Sequence, residues 1–160
     1  MRIVKDFEEM LEALNKHGVQ YLIVGGIAYI YHAKPRYTKD IDIWINNAGE
    51  NVEKTNRALS GFGSPYLVDK SVKGQVVQIG IAPNRIDLIL EIEGFEFNEA
   101  WKQKVIGRYG KAETNWIDLD SLIEIKRRIR KPRHQEDARV LMEVRKMITK
   151  KVRKAGRKSH

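Results

Sequence analysis

Cysteine is absent from all 160 residues, which excludes a disulfide framework and any thiolate metal site. No stretch approaches the roughly 20 apolar residues that span a bilayer. The opening MRIVKDFEEM is charged early and lacks the continuous apolar run of a signal peptide. A soluble, cytoplasmic protein is the expectation. The pattern G-x-x-x-x-G-K-[ST] does not occur and no serine stands in a nucleophile elbow, which argues against a P-loop ATPase. His17, His32, His134 and His160 form no zinc spacing, and a helix-end or surface place fits each. Internal repeats and low-complexity linkers are also missing. A chain of this length is expected to form one compact domain with a real core.

Charge is present in quantity but unevenly. The net charge is +9, yet residues 126–160 hold 15 Lys/Arg against 3 Asp/Glu, which leaves the first 125 residues slightly acidic. A basic surface near the C-terminus would attract polyanions such as nucleic acid or nucleotide phosphates. The simpler alternative is a solvated helix face that ends in a frayed tail. Residues 1–149 are therefore expected as the folded domain and 150–160 as a basic, disordered tail.

Phe7, Met10, Leu11 and Leu14 recur at helical spacing and predict a first helix ending near His17-Gly18. Residues 19–24 form a short apolar run of strand formers, closed by Gly25-Gly26, and a short helix follows over 27–33. Pro35 ends that helix. Residues 40–45 read as the second strand and 52–59 as a helix stopped by Gly61 and Gly63. Three strand-like runs come next, 66–72, 75–81 and 85–91, then a shorter pair at 105–109 and 113–117 around Gly110. Two helices, 119–130 and 135–150, close the chain with Pro132 between them. Early β/α alternation followed by a meander predicts an α+β domain with an α/β-type start, a mixed sheet flanked by helices, and a C-terminal helical pair.

The chemistry concentrates at Asp40-Ile41-Asp42. Strand residues i and i+2 point to one side, so the two carboxylates project together, while Ile41, Ile43 and Ile45 take the opposite face. Adjacent carboxylates repel and raise each other's pKa. A divalent cation relieves that repulsion, and Mg²⁺ suits carboxylate oxygens and substrate phosphates. Upstream, the strand–Gly25-Gly26–helix passage allows backbone N–H groups to approach a phosphate closely. Downstream, Asp87 in the run Arg85-Ile86-Asp87-Leu88 is a third strand carboxylate.

Val24-Gly25-Gly26-Ile27-Ala28, followed by Arg36-Tyr37-Thr38-Lys39-Asp40-Ile41-Asp42-Ile43, resembles the core motif of the DNA polymerase beta-type nucleotidyltransferase superfamily. Ile86-Asp87-Leu88 resembles its third-carboxylate strand. The likeness is strongest to small bacterial and archaeal nucleotidyltransferase-like proteins, which include abortive-infection toxin relatives and some antibiotic-modifying enzymes. Leu122-Ile123-Glu124-Ile125-Lys126, with Arg133 and Glu136-Asp137, is similar to a helical segment of such proteins that carries a lysine before an arginine-and-aspartate turn. The resemblance spans roughly residues 19 to 145, and its specific part is the stretch around the aspartates.

This resemblance implies a nucleotidyltransferase fold and transfer of a nucleoside monophosphate from an NTP, ATP among the candidates, to a hydroxyl acceptor. Asp40, Asp42 and Asp87 would be the catalytic carboxylates and would bind Mg²⁺, with Mn²⁺ as a substitute. Gly25 and Gly26 would hold the triphosphate. Arg36 would be a phosphate clamp or a surface loop residue, and Thr38 would bind a phosphate or cap the turn. Lys126 would sit near the triphosphate or in a solvated place beside Arg127, Arg128 and Arg130. Asp137 would orient a neighbouring arginine or start the last helix. The acceptor is left open among tRNA, protein and small molecule, and an antitoxin partner is compatible with the toxin relatives. A non-catalytic module holding RNA or a protein through its basic helices is the alternative. Trp44 shares the alternation parity of the aspartates and would stack on a base or enter the core, whereas Trp101 and Trp116 are expected to pack.

Overall fold

The central strand explains the architecture. In the computed structural model, which describes residues 1–158, β1 (Tyr21–Val24) is buried at all four positions. It pairs antiparallel with β2 (Asp40–Ile45) on one side and parallel with the strand at residues 112–116 on the other. An interior strand loses its alternation because both faces are covered.

Helix α1 (Lys5–Lys16) precedes β1, and α2 (Gly25–His32) follows it without a linking residue. After β2 come α3 (Gly49–Phe62), β3 (Val76–Ile79), β4 (Arg85–Ile89), α4 (Phe97–Lys102), β5 (Val105–Tyr109), β6 (Ala112–Trp116), α5 (Leu119–Arg128) and α6 (Pro132–Lys158). The six strands stand in the order β3-β4-β2-β1-β6-β5. β2 and β4 run parallel, and β3/β4 and β5/β6 are antiparallel hairpins. The sheet is mixed, as the alternation of the chain predicts.

Ile41, Ile43 and Ile45 are each fully buried on one face of β2. The predicted stripe of α1, Phe7, Met10, Leu11 and Leu14, is buried to within 1 %, and α1 packs against α3 and β6. On the other face, α4 approaches β2 through an edge-to-face contact of Phe97 with Trp44, centroids 5.2 Å apart. Trp44 is 1 % exposed, so it is a core residue and the base-stacking role is corrected. α5 and the start of α6 pack on each other and on α2.

Two further expectations differ from the structure. Residues 66–72 are not a strand. Tyr66, Leu67 and Val72 are exposed, and only Val68 is buried, held by paired hydrogen bonds of its backbone with the Asn56 amide at 2.8 and 3.0 Å. A side-chain clasp has replaced a ladder partner. The last helix begins at Pro132, a residue preorganised for a first helical position, and runs on to Lys158, through most of the stretch expected as a tail. Residues 159 and 160 lie outside the described residues.

Candidate active site

Parallel pairing of β2 and β4 places Asp42 directly beside Asp87 and Asp40 beside Arg85. Antiparallel pairing of β1 and β2 places Val24, the residue before the glycine pair, beside Asp42. Alternation then turns the three carboxylates to one side, and a ligand oxygen from each of Asp40, Asp42 and Asp87 lies within 4.8 Å of the others. The third aspartate thus joins the first two.

The cluster is strongly anionic and partly shielded. Burial, and the nearby charges of Asp40 and Asp87, push the Asp42 carboxyl up to about 7 from 3.8. Asp40 is raised by its own burial and by Asp87. Arg85 partly neutralises the group: its Nη2 donates to Asp40 Oδ2 at 2.8 Å, and its Nε and Nη2 donate to Asp87 at 2.9 and 3.0 Å. Sequence reading did not assign Arg85 this role. The signal was its i,i+2 spacing from Asp87, which puts both on one strand face.

The glycine pair is required by close approach. Gly25 has φ +67°, and a Cβ there would collide with Asp42 Oδ2; a Cβ on Gly26 would lie 2.9 Å from Thr38 Oγ1. The turn therefore delivers α2's N-terminus directly against the carboxylates, with its first N–H groups outside the helical hydrogen-bond ladder. Thr38 Oγ1 donates to Asp40 O at 3.2 Å, which fastens the loop onto the start of β2.

A second cluster supplies positive charge. Asp137, 4 % exposed on α6, pairs with Arg36 Nη1 through Oδ1, and its Oδ2 lies 3.0 Å from Lys126 Nζ in a charge contact. The Arg36 guanidinium lies over the Tyr29 ring, 4.4 Å from its centroid, and its buried Nε has no hydrogen-bond partner. Lys126 is only 3 % exposed, so the solvated alternative for it is overturned. Desolvation lowers its pKa, with Asp137 opposing. His134 Nδ1 lies 3.2 Å from Lys126 Nζ; burial and that ammonium lower the imidazole's pKa, so the neutral ring accepts the bond. His134, in the first turn of α6, takes the helix-end place open to it and also lines the cleft, a role not assigned to it from the sequence.

These groups line one cleft of ≈ 260 Å³, bounded by Gly25, Gly26, Arg36, Thr38, Asp42 and Lys126. Asp40 also lines it, and Asp87 adjoins it through the carboxylate cluster. The three aspartates, the glycine pair, Arg36, Thr38 and Lys126 therefore fall in this cleft or in contact with it, whereas Trp44, the other candidate for the nucleotide, does not. Carboxylate oxygens beside the Arg36 and Lys126 cations and a helix N-terminus match a divalent cation with a phosphate chain.

The backbone as a whole answers to known structures. ANT(2'')-Ia in complex with adenylyl-2''-tobramycin superposes with a TM-score of 0.58 at 17 % identity, over 96 % of this chain and 95 % of that one. The lincosamide antibiotic adenylyltransferase LnuA, lincomycin-bound, gives 0.59 at 14 % identity, covering 90 % and 99 %. An antigenic nucleotidyltransferase-like protein from Paracoccidioides brasiliensis gives 0.53 at 15 % identity, covering 89 % and 77 %. The chain has the nucleotidyltransferase fold. No protein-family model matches it, and no curated protein sequence does. Within this nucleotidyltransferase fold, the carboxylates stand on adjacent parallel strands and the glycine turn stands beside them.

Proposed function

We propose that the chain is a divalent-metal-dependent nucleotidyltransferase that moves a nucleoside monophosphate from an NTP to a hydroxyl on a small-molecule acceptor. The observation that carries this reading is the convergence of Asp40, Asp42 and Asp87 within 4.8 Å, next to a cationic cleft, in a nucleotidyltransferase fold. In the reaction the acceptor oxygen bonds to the α-phosphorus, the bond from that phosphorus to the bridging oxygen breaks, and pyrophosphate leaves. The acceptor proton passes to a carboxylate, for which Asp87 is our assignment.

Asp40, Asp42 and Asp87 would hold Mg²⁺ or Mn²⁺. The bound cation supplies charge neutralisation at the triphosphate and at the attacking oxygen. The remaining work falls to the protein. Gly25 and Gly26 present N–H groups to phosphate oxygens. Arg36 and Lys126, held by Asp137, offset the triphosphate charge, and Tyr29 fixes the plane of the Arg36 guanidinium. Positioning and charge compensation are the main protein contributions to such transfers. ANT(2'')-Ia is seen in complex with adenylyl-2''-tobramycin and LnuA is lincomycin-bound, which favours a small molecule over a macromolecule as acceptor.

Labelled ATP, GTP, CTP and UTP with Mg²⁺ and a small-molecule extract test the reading. Wild type should release pyrophosphate and label an acceptor, and Asp42→Ala should do neither. Equal labelling by both proteins would remove the catalytic assignment.

A second reading is favoured by α6, which carries no acidic residue after Glu143. There the fold would act as a docking module for RNA on a basic helix, with affinity falling steeply as salt rises.

A further inference from the structure

Arg85 stands where a cation between the carboxylates would stand. Its Nη2 donates to Asp40 Oδ2 at 2.8 Å and to Asp87 Oδ2 at 3.0 Å, and its Nε donates to the other Asp87 oxygen at 2.9 Å. One guanidinium nitrogen therefore bridges carboxylates on two parallel strands, and both oxygens of Asp87 are engaged. Asp87 is buried, and a charged fork on a buried carboxylate is among the stronger hydrogen-bond arrangements. Asp42 is in a different condition. It faces the cleft, and only burial and nearby charges act on its carboxylate, with no hydrogen bond. The three aspartates are thus divided into one open carboxylate and two that Arg85 holds.

A divalent cation joining Asp40 to Asp87 competes with this guanidinium for the same oxygens. Mg²⁺ sits about 2.0–2.1 Å from its oxygen ligands, inside the 2.8–3.0 Å at which Nη2 spans the two carboxylates. Two cations crowded into one half-buried cluster also repel each other. Arginine cannot lose its proton to make room, so the side chain has to leave. It is 33 % exposed and has no other ion-pair partner among the described residues, which leaves solvent at the start of β4 as its destination. A lone metal ion then binds only the minor state in which Arg85 is away, and its affinity falls by that fraction. A triphosphate shifts the balance. It brings the ion further oxygens, and the Arg36 and Lys126 cations in the cleft hold the phosphates from the other side.

We propose that Arg85 is a latch on the metal centre, holding Asp40 and Asp87 against a lone divalent cation and yielding to one that arrives with a nucleotide. The inference rests on the reading of the three aspartates as a metal site. Metal and nucleotide are then coupled, and each tightens the binding of the other by the same factor. Departure of the guanidinium also frees Asp87, the carboxylate assigned to receive the acceptor proton. The centre is complete only when a nucleotide is present.

Calorimetric titration of the full chain with Mn²⁺ tests the latch, at alkaline pH where the carboxylates are ionised. It is run with and without a non-hydrolysable ATP analogue, whose own metal binding is measured separately. Wild type should bind Mn²⁺ alone weakly, and about tenfold or more tighter with the analogue. Arg85→Gln, which keeps a hydrogen-bonding side chain without the charge, should bind Mn²⁺ alone about tenfold tighter than wild type. It should also lose most of the tightening that the analogue gives. Arg85→Lys, a point charge without the fork, should fall between the two. Without metal, Arg85→Gln should melt below wild type, and Mn²⁺ should raise its melting temperature by more than it raises that of wild type. An arginine that only supports the fold predicts the opposite, a loss of Mn²⁺ affinity in both variants. If wild type binds Mn²⁺ with the analogue in an Asp42-dependent way while Arg85→Gln binds the ion alone no tighter than wild type, the latch falls alone. If neither protein binds Mn²⁺ even with the analogue, the metal reading falls and the latch with it.

Discussion

Asp42 is the residue on which most of the site converges. Its β1 neighbour is Val24 and its β4 neighbour is Asp87, and Gly25 lacks a side chain where Asp42 needs space. Gly25→Ala should therefore be costly twice, through the left-handed backbone, about 1–2 kcal/mol, and through collision with the carboxylate. Denaturant unfolding should show a loss of at least that size, accompanied by weaker metal binding. The raised pKa of Asp42, about 7 against an ordinary 3.8, has a definite sign. The folded chain holds a proton that the unfolded chain releases, so stability of the metal-free protein declines as pH rises between those values and levels off above them. Asp40 shifts in the same direction. Thermal melts without metal should fall across this window, Asp42→Asn should flatten the fall, and Mg²⁺ should restore stability at the alkaline end. A pH-independent melting temperature in the wild type would contradict the cluster's charge balance.

At the scale of elements, Asp137 joins three pieces of chain: the loop with Arg36, α5 with Lys126, and α6 itself. Removing one partner of a buried ionic group leaves the others unpaired, which costs about 3–5 kcal/mol. Asp137→Asn should destabilise the fold by an amount toward that range in chemical denaturation, and should weaken nucleotide binding about tenfold or more as Arg36 and Lys126 lose their anchor. The aspartate pair was legible because strand period and local spacing lie within one element. So were α1, β1, β2, the hairpins and the last two helices, each from its own periodicity. Register between β2 and β4 was not, since it depends on a parallel pairing of residues 45 positions apart in the chain. Arg85's contact with Asp40 follows from that register, and His134's with Lys126 from the packing of α6 on α5; neither has a local signature. α4, six residues long, is too short to show a period. The run 66–72 misled because its apolar residues suit a strand, while Asn56 satisfies the backbone of Val68 instead.

The whole molecule is electrically divided. Basic residues gather on α5 and α6, and an acidic cavity lies at the opposite end of β2 from the nucleotide cleft. Past Val144 the side chains of α6 described through Arg157 are exposed, so the helix extends beyond the body that it helps to build. Truncation after Arg145 should leave unfolding free energy within about 1 kcal/mol of the full chain, and it should lower heparin affinity if the basic helix is a polyanion arm. The body itself should keep its central chemistry in that truncated form. The proposed transfer depends above all on the three carboxylates acting together as a metal centre for a nucleotide. Electron paramagnetic resonance of Mn²⁺, titrated into the full chain with a non-hydrolysable NTP analogue, reads this directly. Wild type should show bound Mn²⁺ that each of Asp40→Asn, Asp42→Asn and Asp87→Asn weakens or abolishes; Mn²⁺ bound equally by all four proteins, or by none, would contradict it.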